Sequence, residues 1–453
     1  MDFDKLRLSV LILKRRGPIA FRFILALLAI ALKLFFRRIE TVNARRVPVK
    51  GGVIFVVNHP NGLIDPALVF VALPRKISFL AKSTLFRTPV ISYVLRQVGA
   101  LPLYRRIDPG EDVSKNQRTF ELCRELLKRG GSIAMFPEGV SHNSPKLLPA
   151  KTGAARIALG AASVGTHPEA LEINIVPVGL YYTSKTTFRS EALLYFGEPF
   201  QVKRSGLDAE GEPLREDVKE LTAKVEDALR EVTVNAESES ELHTAHIAEE
   251  IFASASPTDN LADKVEFLQE YVADPDAKTE LGARLHDYDE KLERLGIEPF
   301  HLSLSQFSQR FVLTQAIFRI WPLIVLLPFA IAGTILHFPA YQLCKILAYF
   351  YTRHGEDDIA STVKVLAAML FMPLTWLITA GVLYYFFGVW IALVSIPIAL
   401  GCGYAALYSL EQFEELRGWA KAVWLFVTKR EKFFRLFVER RELLNQLRSS
   451  SDL

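Results

Sequence analysis

Val365 to Leu410 is a run of 46 residues without a single Asp, Glu, Lys or Arg. A helix of about 20 apolar residues crosses a bilayer, and backbone inside hydrocarbon must satisfy its own hydrogen bonds. The run therefore predicts two spans, residues 365–387 and 389–410, with a turn near Phe387-Gly388. Upstream, residues 316–351 are apolar apart from Arg319 and Lys345, and Pro322, Pro328 and Pro339 interrupt them. That segment predicts either one span with an interfacial helix or a re-entrant hairpin. A mean hydropathy of +0.19 over 453 residues fits an integral membrane protein. No acidic residue falls in the spans, which argues against a transporter.

The net charge of +4 is unevenly placed. Nine Lys and Arg fall in residues 1–38 and eight in residues 416–441, whereas residues 236–263 hold none. The uncharged stretch Phe23 to Leu32 is short for a span, and Lys33, Arg37 and Arg38 stand where a signal-peptide cleavage site would be. Residues 1–44 are expected to form a basic interfacial membrane helix, and residues 411–453 a basic amphipathic tail. Basic ends beside apolar runs suit anionic lipid headgroups and not nucleic acid. The positive-inside rule puts the tail on the cytoplasmic face, and a re-entrant hairpin at 316–351 would put the catalytic domain there too. Cys123, Cys344 and Cys402 have neither disulfide nor metal spacing.

Residues 45–235 alternate short apolar runs with amphipathic stretches. Strands are expected at Val53–Val57, Ser78–Ala81, Ser132–Phe136, Ile173–Val178 and Ala192–Phe196. Helices are expected at Asp65–Leu73, Pro89–Gln97, Ser114–Lys128, Gly153–Ala162 and Arg215–Val232. The alternation predicts an α/β domain, a sheet covered on both faces. Residues 236–312 read as a polar helical insertion or neck, with turns at Ser256-Pro257 and Asp274-Pro275.

The chemistry concentrates at strand ends. Asn58-His59-Pro60-Asn61-Gly62-Leu63-Ile64-Asp65 follows the first strand. A carboxylate at Asp65 holding one ring nitrogen of His59 would leave the other free to take a proton. Phe136-Pro137-Glu138-Gly139 follows a second strand, and Ser141 and Lys151 then lead to a helix starting near Gly153. Small residues and a lysine at a helix start suit an anion. Arg105 and Arg106 follow Leu103-Tyr104, and paired arginines are natural phosphate clamps. A turn or a solvated surface would explain each of these segments equally well in isolation. No third His or Cys supports a metal site, and no Gly-x-Ser-x-Gly elbow supports a serine hydrolase.

The order Asn58-His59…Asp65, Leu103-Tyr104-Arg105-Arg106, Phe136-Pro137-Glu138-Gly139 and Val176-Pro177-Val178-Gly179 resembles the four blocks of the glycerolipid acyltransferase superfamily. The resemblance covers roughly residues 45–200. It departs in one extra residue between His59 and Asp65, and in Glu138-Gly139-Val140-Ser141 standing for Glu-Gly-Thr-Arg. Both departures are similar to the yeast-type glycerol-3-phosphate/dihydroxyacetone-phosphate acyltransferase branch. The resemblance implies a mixed sheet flanked by helices, and transfer of a fatty acyl group from a thioester to a glycerol phosphate. The expected partners are an acyl-CoA or acyl carrier protein thioester, a bilayer, and glycerol 3-phosphate or dihydroxyacetone phosphate. Lysophosphatidic acid is the alternative acceptor. His59 and Asp65 are the expected catalytic pair, and Arg105, Arg106, Glu138, Gly139, Ser141 and Lys151 the expected acceptor site. No cofactor or metal is expected. A non-catalytic lipid-binding membrane protein on the same fold is a competing class, and oligomeric state is left open.

Overall fold

The computed structural model describes residues 18–73, 75–163, 172–185, 187–255, 260–273, 280–302, 314, 316–352 and 360–450. The basic residues before Gly17, the turns at Ser256-Pro257 and Asp274-Pro275, the end of the 236–312 segment and the last three residues lie outside these. The chain forms two compact units, Met1–Asn235 with Glu356–Thr362, and Ala236–Gly355 with Val363–Leu453.

The first unit holds one eight-stranded mixed sheet. Its strands are β1 (Arg38–Val42), β2 (Gly52–Val57), β3 (Ile77–Lys82), β4 (Leu101–Leu103), β5 (Ser132–Met135), β6 (Ile173–Tyr182), β7 (Glu191–Phe196) and β8 (Phe200–Gln201). The order is β1-β7-β6-β2-β5-β3-β4, with β8 on β6. Neighbours from β6 through β4 run parallel, while β7 and β8 pair antiparallel to β6. Central β2 reads Gly-Val-Ile-Phe-Val-Val and is buried at every position, as a strand covered on both faces must be.

The covering helices are α1 (Ile19–Phe35), α2 (Ile64–Ala72), α3 (Pro89–Gln97), α4 (Asn116–Lys128), α5 (Gly153–Ser163) and α6 (Arg215–Arg230). Ile54, Val56, Leu127, Ile133, Ala155, Ala158, Ile175, Val225 and Leu229 share one core between strands and helices. Helix α1 buries Phe21, Leu25, Ala29 and Leu32, yet leaves Ile19, Phe23, Leu27, Ile30 and Leu34 exposed on the opposite stripe. The helix expected through residue 44 ends at Phe35, because residues 38–42 join the sheet as β1 beside β7. Strands β1, β4 and β8 have no counterpart among the five expected. They are two to five residues long and sit at sheet edges or, in β8, off the main path, where no long apolar run is needed.

The second unit is helical: α7 (Glu239–Ala253), α8 (Leu261–Ala273), α9 (Glu280–Glu293), α10 (Trp321–Thr352), α11 (Ala360–Phe387), α12 (Val389–Thr428) and α13 (Arg430–Ser450). Three segments are long and apolar enough to cross a membrane, Trp321–Phe350, Val363–Phe387 and Val389–Thr428. Gly388 separates the last two with φ 86°, a left-handed value open to glycine. Helix α10 runs unbroken through Pro328 and Pro339, so the re-entrant hairpin does not form. In an apolar setting, one hydrogen bond lost at each proline costs less than an opened backbone. Helix α12 likewise continues past residue 410 to Thr428. Gly333 of α10 meets α12 so closely that a Cβ there would lie 2.0 Å from the Cys402 carbonyl oxygen. Trp376 of α11 donates its indole N–H to His337 Nε2 of α10 at 2.8 Å.

Candidate active site

Parallel strands end on the same side of a sheet, and their C-terminal ends are where α/β proteins place ligands. Val56 of β2 pairs with Met135 of β5, so the segments after them emerge side by side. His59 and Phe136 consequently stack, with ring centroids 4.0 Å apart. One step past β2, the Asn58 side-chain amide donates to the Leu180 carbonyl at 3.1 Å and accepts from the Leu180 N–H at 2.7 Å. The side chain replaces a backbone rung, which frees the main chain to turn and lift His59 off the sheet.

Asp65 lies in the first turn of α2, where a carboxylate is favoured by the helix dipole. The Asn61 carbonyl accepts from the N–H groups of Ile64 and Asp65, so the extra residue of the His59–Asp65 interval is absorbed in a tight turn through Gly62, φ 37°. The result is a contact of 2.8 Å between His59 Nδ1 and Asp65 Oδ2. Asp65 is fully buried and accepts two further hydrogen bonds, from the Asn61 N–H at 2.7 Å and from the Tyr182 hydroxyl at 2.5 Å. Burial, then the Asp65 charge, pushes the Tyr182 hydroxyl well above the usual tyrosine range, so it stays a donor. The His59 side chain is 16% exposed, and its Nε2 has no hydrogen-bond partner among the described residues.

Glu138, which follows Phe136 and Pro137, is buried, and both of its oxygens are engaged. Oε1 accepts from the His59 backbone N–H at 2.8 Å, and Oε2 accepts from the Leu148 N–H at 3.0 Å and contacts His142 Nε2. The His142 N–H donates in turn to the His59 carbonyl at 3.1 Å. One carboxylate thus ties the His59 loop to the segment 138–148.

Of the expected phosphate-holding residues, Arg105 and Lys151 meet at Gly139. Arg105 donates to the Gly139 carbonyl at 3.0 Å and grips Asp108 through two bonds of 3.0 Å each. The Arg105 guanidinium, with Lys82 3.2 Å away, holds the buried Asp108 carboxyl below the usual carboxylate range. Gly139 has φ 77°, and the Lys151 stem lies across it: a Cβ there would come 2.9 Å from Lys151 Cε. Lys151 is exposed, and its N–H donates to the Pro137 carbonyl at 2.8 Å. Arg106 is exposed and Ser141 half-buried. No group of three or more metal-ligating side chains occurs among the described residues.

Sequence reasoning left out Tyr182, Asn58, Asn61, His142, Lys82 and Asp108. Tyr182 is separated from Asp65 by 117 positions and carries no local signal. Asn58 was visible only as part of the block Asn58-His59…Asp65, and Asn61 only as a turn residue.

Residues 38–181, which hold most of the mixed sheet and the His–Asp pair, match the family model described as Acyltransferase. The relatives of the chain include glycerol-3-phosphate and 1-acyl-sn-glycerol-3-phosphate acyltransferases. Among its relatives, it is 28% identical over 279 residues to glycerol-3-phosphate O-acyltransferase 2 of Saccharomyces cerevisiae, covering 58% of this chain and 37% of that protein. It is 24% identical over 458 residues to an uncharacterized acyltransferase of Schizosaccharomyces pombe, covering 77% and 66%. It is 33% identical over 146 residues to a chloroplastic 1-acyl-sn-glycerol-3-phosphate acyltransferase of Brassica napus, covering 32% and 38%. The chain therefore spans between about a third and two thirds of the length of these relatives.

Proposed function

We propose that this protein is a membrane-bound O-acyltransferase that moves a fatty acyl group from a thioester to the hydroxyl of glycerol 3-phosphate or dihydroxyacetone phosphate. The observation that carries the reading is the 2.8 Å contact between His59 Nδ1 and Asp65, with His59 Nε2 left open. With the Nδ1 proton held by Asp65, Nε2 accepts the hydroxyl proton as the oxygen attacks the thioester carbonyl. The new C–O bond forms, the C–S bond breaks, and the imidazolium returns the proton to the departing thiolate. Asp65, fixed by Asn61 and Tyr182, stabilises the imidazolium.

Arg105, Arg106, Lys151, Ser141 and the backbone at Gly139 receive the acceptor's phosphate. Arg105 enters already anchored to Asp108 and Gly139, so little side-chain freedom is lost on binding. Glu138 shapes this acceptor site through the loops it ties rather than through a spare oxygen. Membrane attachment through the apolar helices of the second unit, with the exposed apolar stripe of α1 lying in the interface, keeps the site beside an acyl chain and product that partition into lipid. The catalytic unit then faces the cytoplasm, where thioester donors are made.

The yeast relative's name favours glycerol 3-phosphate; the Brassica relative's name favours a lysolipid, whose hydroxyl and phosphate present the same chemistry. The purified full chain in nanodiscs is assayed with acyl-CoA and each acceptor in turn. Transfer to glycerol 3-phosphate is expected, and His59→Ala lowers it by about 10²-fold or more while the thermal transition is kept. Transfer to the lysolipid alone rejects the acceptor, and a His59→Ala protein of full activity rejects the mechanism.

A further inference from the structure

A cavity of about 530 Å³ opens in the first unit beside the edge strand β4, away from the His59–Asp65 pair. Ser83, Phe86, Arg87, Arg96, Tyr104 and Lys115 are among the residues lining it. Its volume suits a nucleotide-sized ligand. Its charge is unbalanced: Arg87 is paired with Glu111, but among the described residues Arg96 meets only the Ser92 hydroxyl at 3.3 Å, and Lys115 lies 5.6 Å over the Tyr104 ring. Ser83 is 6% exposed and its hydroxyl has no hydrogen-bond partner among the described residues. A buried hydroxyl without a partner costs stability unless something else uses it.

The walls are fixed. The Asn116 side chain accepts from the Tyr104 N–H at 2.9 Å and donates to its carbonyl at 2.7 Å. The next residue, Arg105, reaches the Gly139 carbonyl, so the cavity adjoins the acceptor loop through one peptide link. Cations, an aromatic face and an unused hydroxyl together make a receptor for a ring system carrying phosphate.

We propose that this cavity binds the adenosine phosphate portion of an acyl-CoA donor, with Arg96, Lys115 and the Ser83 hydroxyl on phosphate oxygens and the base against Tyr104 or Phe86. The inference rests on the acyltransferase reading and deepens it, since it selects CoA over a carrier-protein donor. Binding of adenosine 3′,5′-bisphosphate to the full chain is measured directly, and acyl-CoA is compared with acyl-pantetheine in the transfer assay. Arg96→Ala and Lys115→Ala should each weaken bisphosphate binding and raise the KM for acyl-CoA by about tenfold. The preference for acyl-CoA over acyl-pantetheine should shrink in step. Ser83→Ala removes a hydroxyl that no described residue uses, so weaker nucleotide binding at an undiminished melting temperature reads the ligand contact rather than a folding defect.

Variants that shift the KM of the acyl acceptor instead, or affect acyl-CoA and acyl-pantetheine alike, overturn the assignment. So does displacement by phosphatidate vesicles or inorganic phosphate as effective as that by the nucleotide. A protein that binds the bisphosphate at this site but transfers no acyl group loses the proposed function and keeps the nucleotide site. One that transfers acyl groups without binding the bisphosphate loses the site and keeps the function.

Discussion

At the residue scale, the proposed mechanism makes the His59 imidazole only as good a base as Asp65 allows. Asp65→Asn preserves the volume but places an amide against Nδ1. Where its N–H₂ faces the ring, the proton is driven to Nε2, which can no longer accept, and a loss of about 10²-fold or more in kcat is expected. Tyr182→Phe is subtler. It strips one donor from a carboxylate that is fully buried. A buried acceptor left unpaired costs about 1–3 kcal/mol, so a lower melting temperature should accompany a fall in kcat of roughly tenfold. Acceptor KM should hardly move, because Tyr182 touches Asp65 and not the phosphate side; a change confined to KM would place Tyr182 in substrate binding. His59 and Asp65 were legible in the sequence because six positions and one turn join them. Tyr182 was not, because only the β2–β6 register, Val57 opposite Val178, brings it there.

At the element scale, long, strongly patterned segments were the readable ones. The five expected strands and five expected helices of the first unit all occur, since continuous apolar runs and amphipathic stretches each bury surface in one way. What escaped was short or context-dependent. Residues 38–42 look like the tail of a basic helix, and become β1 only because β7 offers an edge and Glu191 pairs with Arg37 and Arg38. In the helical unit, α7 makes a pH-dependent contribution. Burial, then the nearby Lys264 charge and His243, lowers His246 to about 4, below its ordinary 6.5. The unfolded chain binds that proton first, so the stability held above pH 6.5 is lost as pH falls toward 4. His246→Gln should remove on the order of 2 kcal/mol of that acid sensitivity. Denaturant unfolding of wild type and variant at several pH values checks it, and parallel curves across the window would contradict it.

On the scale of the whole molecule, the question is how often the chain crosses the bilayer. Helix α9 precedes the first long apolar helix and α13 follows the third, yet the two are joined. Lys291 meets Glu439 at 2.7 Å, Arg284 donates to Gln446 at 2.7 Å, and Arg440 donates to the Pro299 carbonyl at 2.8 Å. Charged helices in direct contact share one side of a membrane. A chain that leaves that side and returns to it has crossed an even number of times. An even number of crossings leaves at least one of the three long apolar helices that does not cross. The expected crossing pair is α10 and α12, because Gly333 packs directly on the Cys402 backbone and a helix approach this close suits a lipid setting. Helix α11 then begins and ends on the far side, joined to the pair by the Trp376–His337 hydrogen bond. Single cysteines at Arg294, Gly388 and Arg435, in a chain whose own three cysteines are replaced, can be tested with a membrane-impermeant maleimide on sealed vesicles. Positions 294 and 435 should label from the same face and position 388 from the opposite one. Labelling of 294 and 435 from opposite faces would mean three full crossings, and the α9–α13 contacts could not then exist in the membrane.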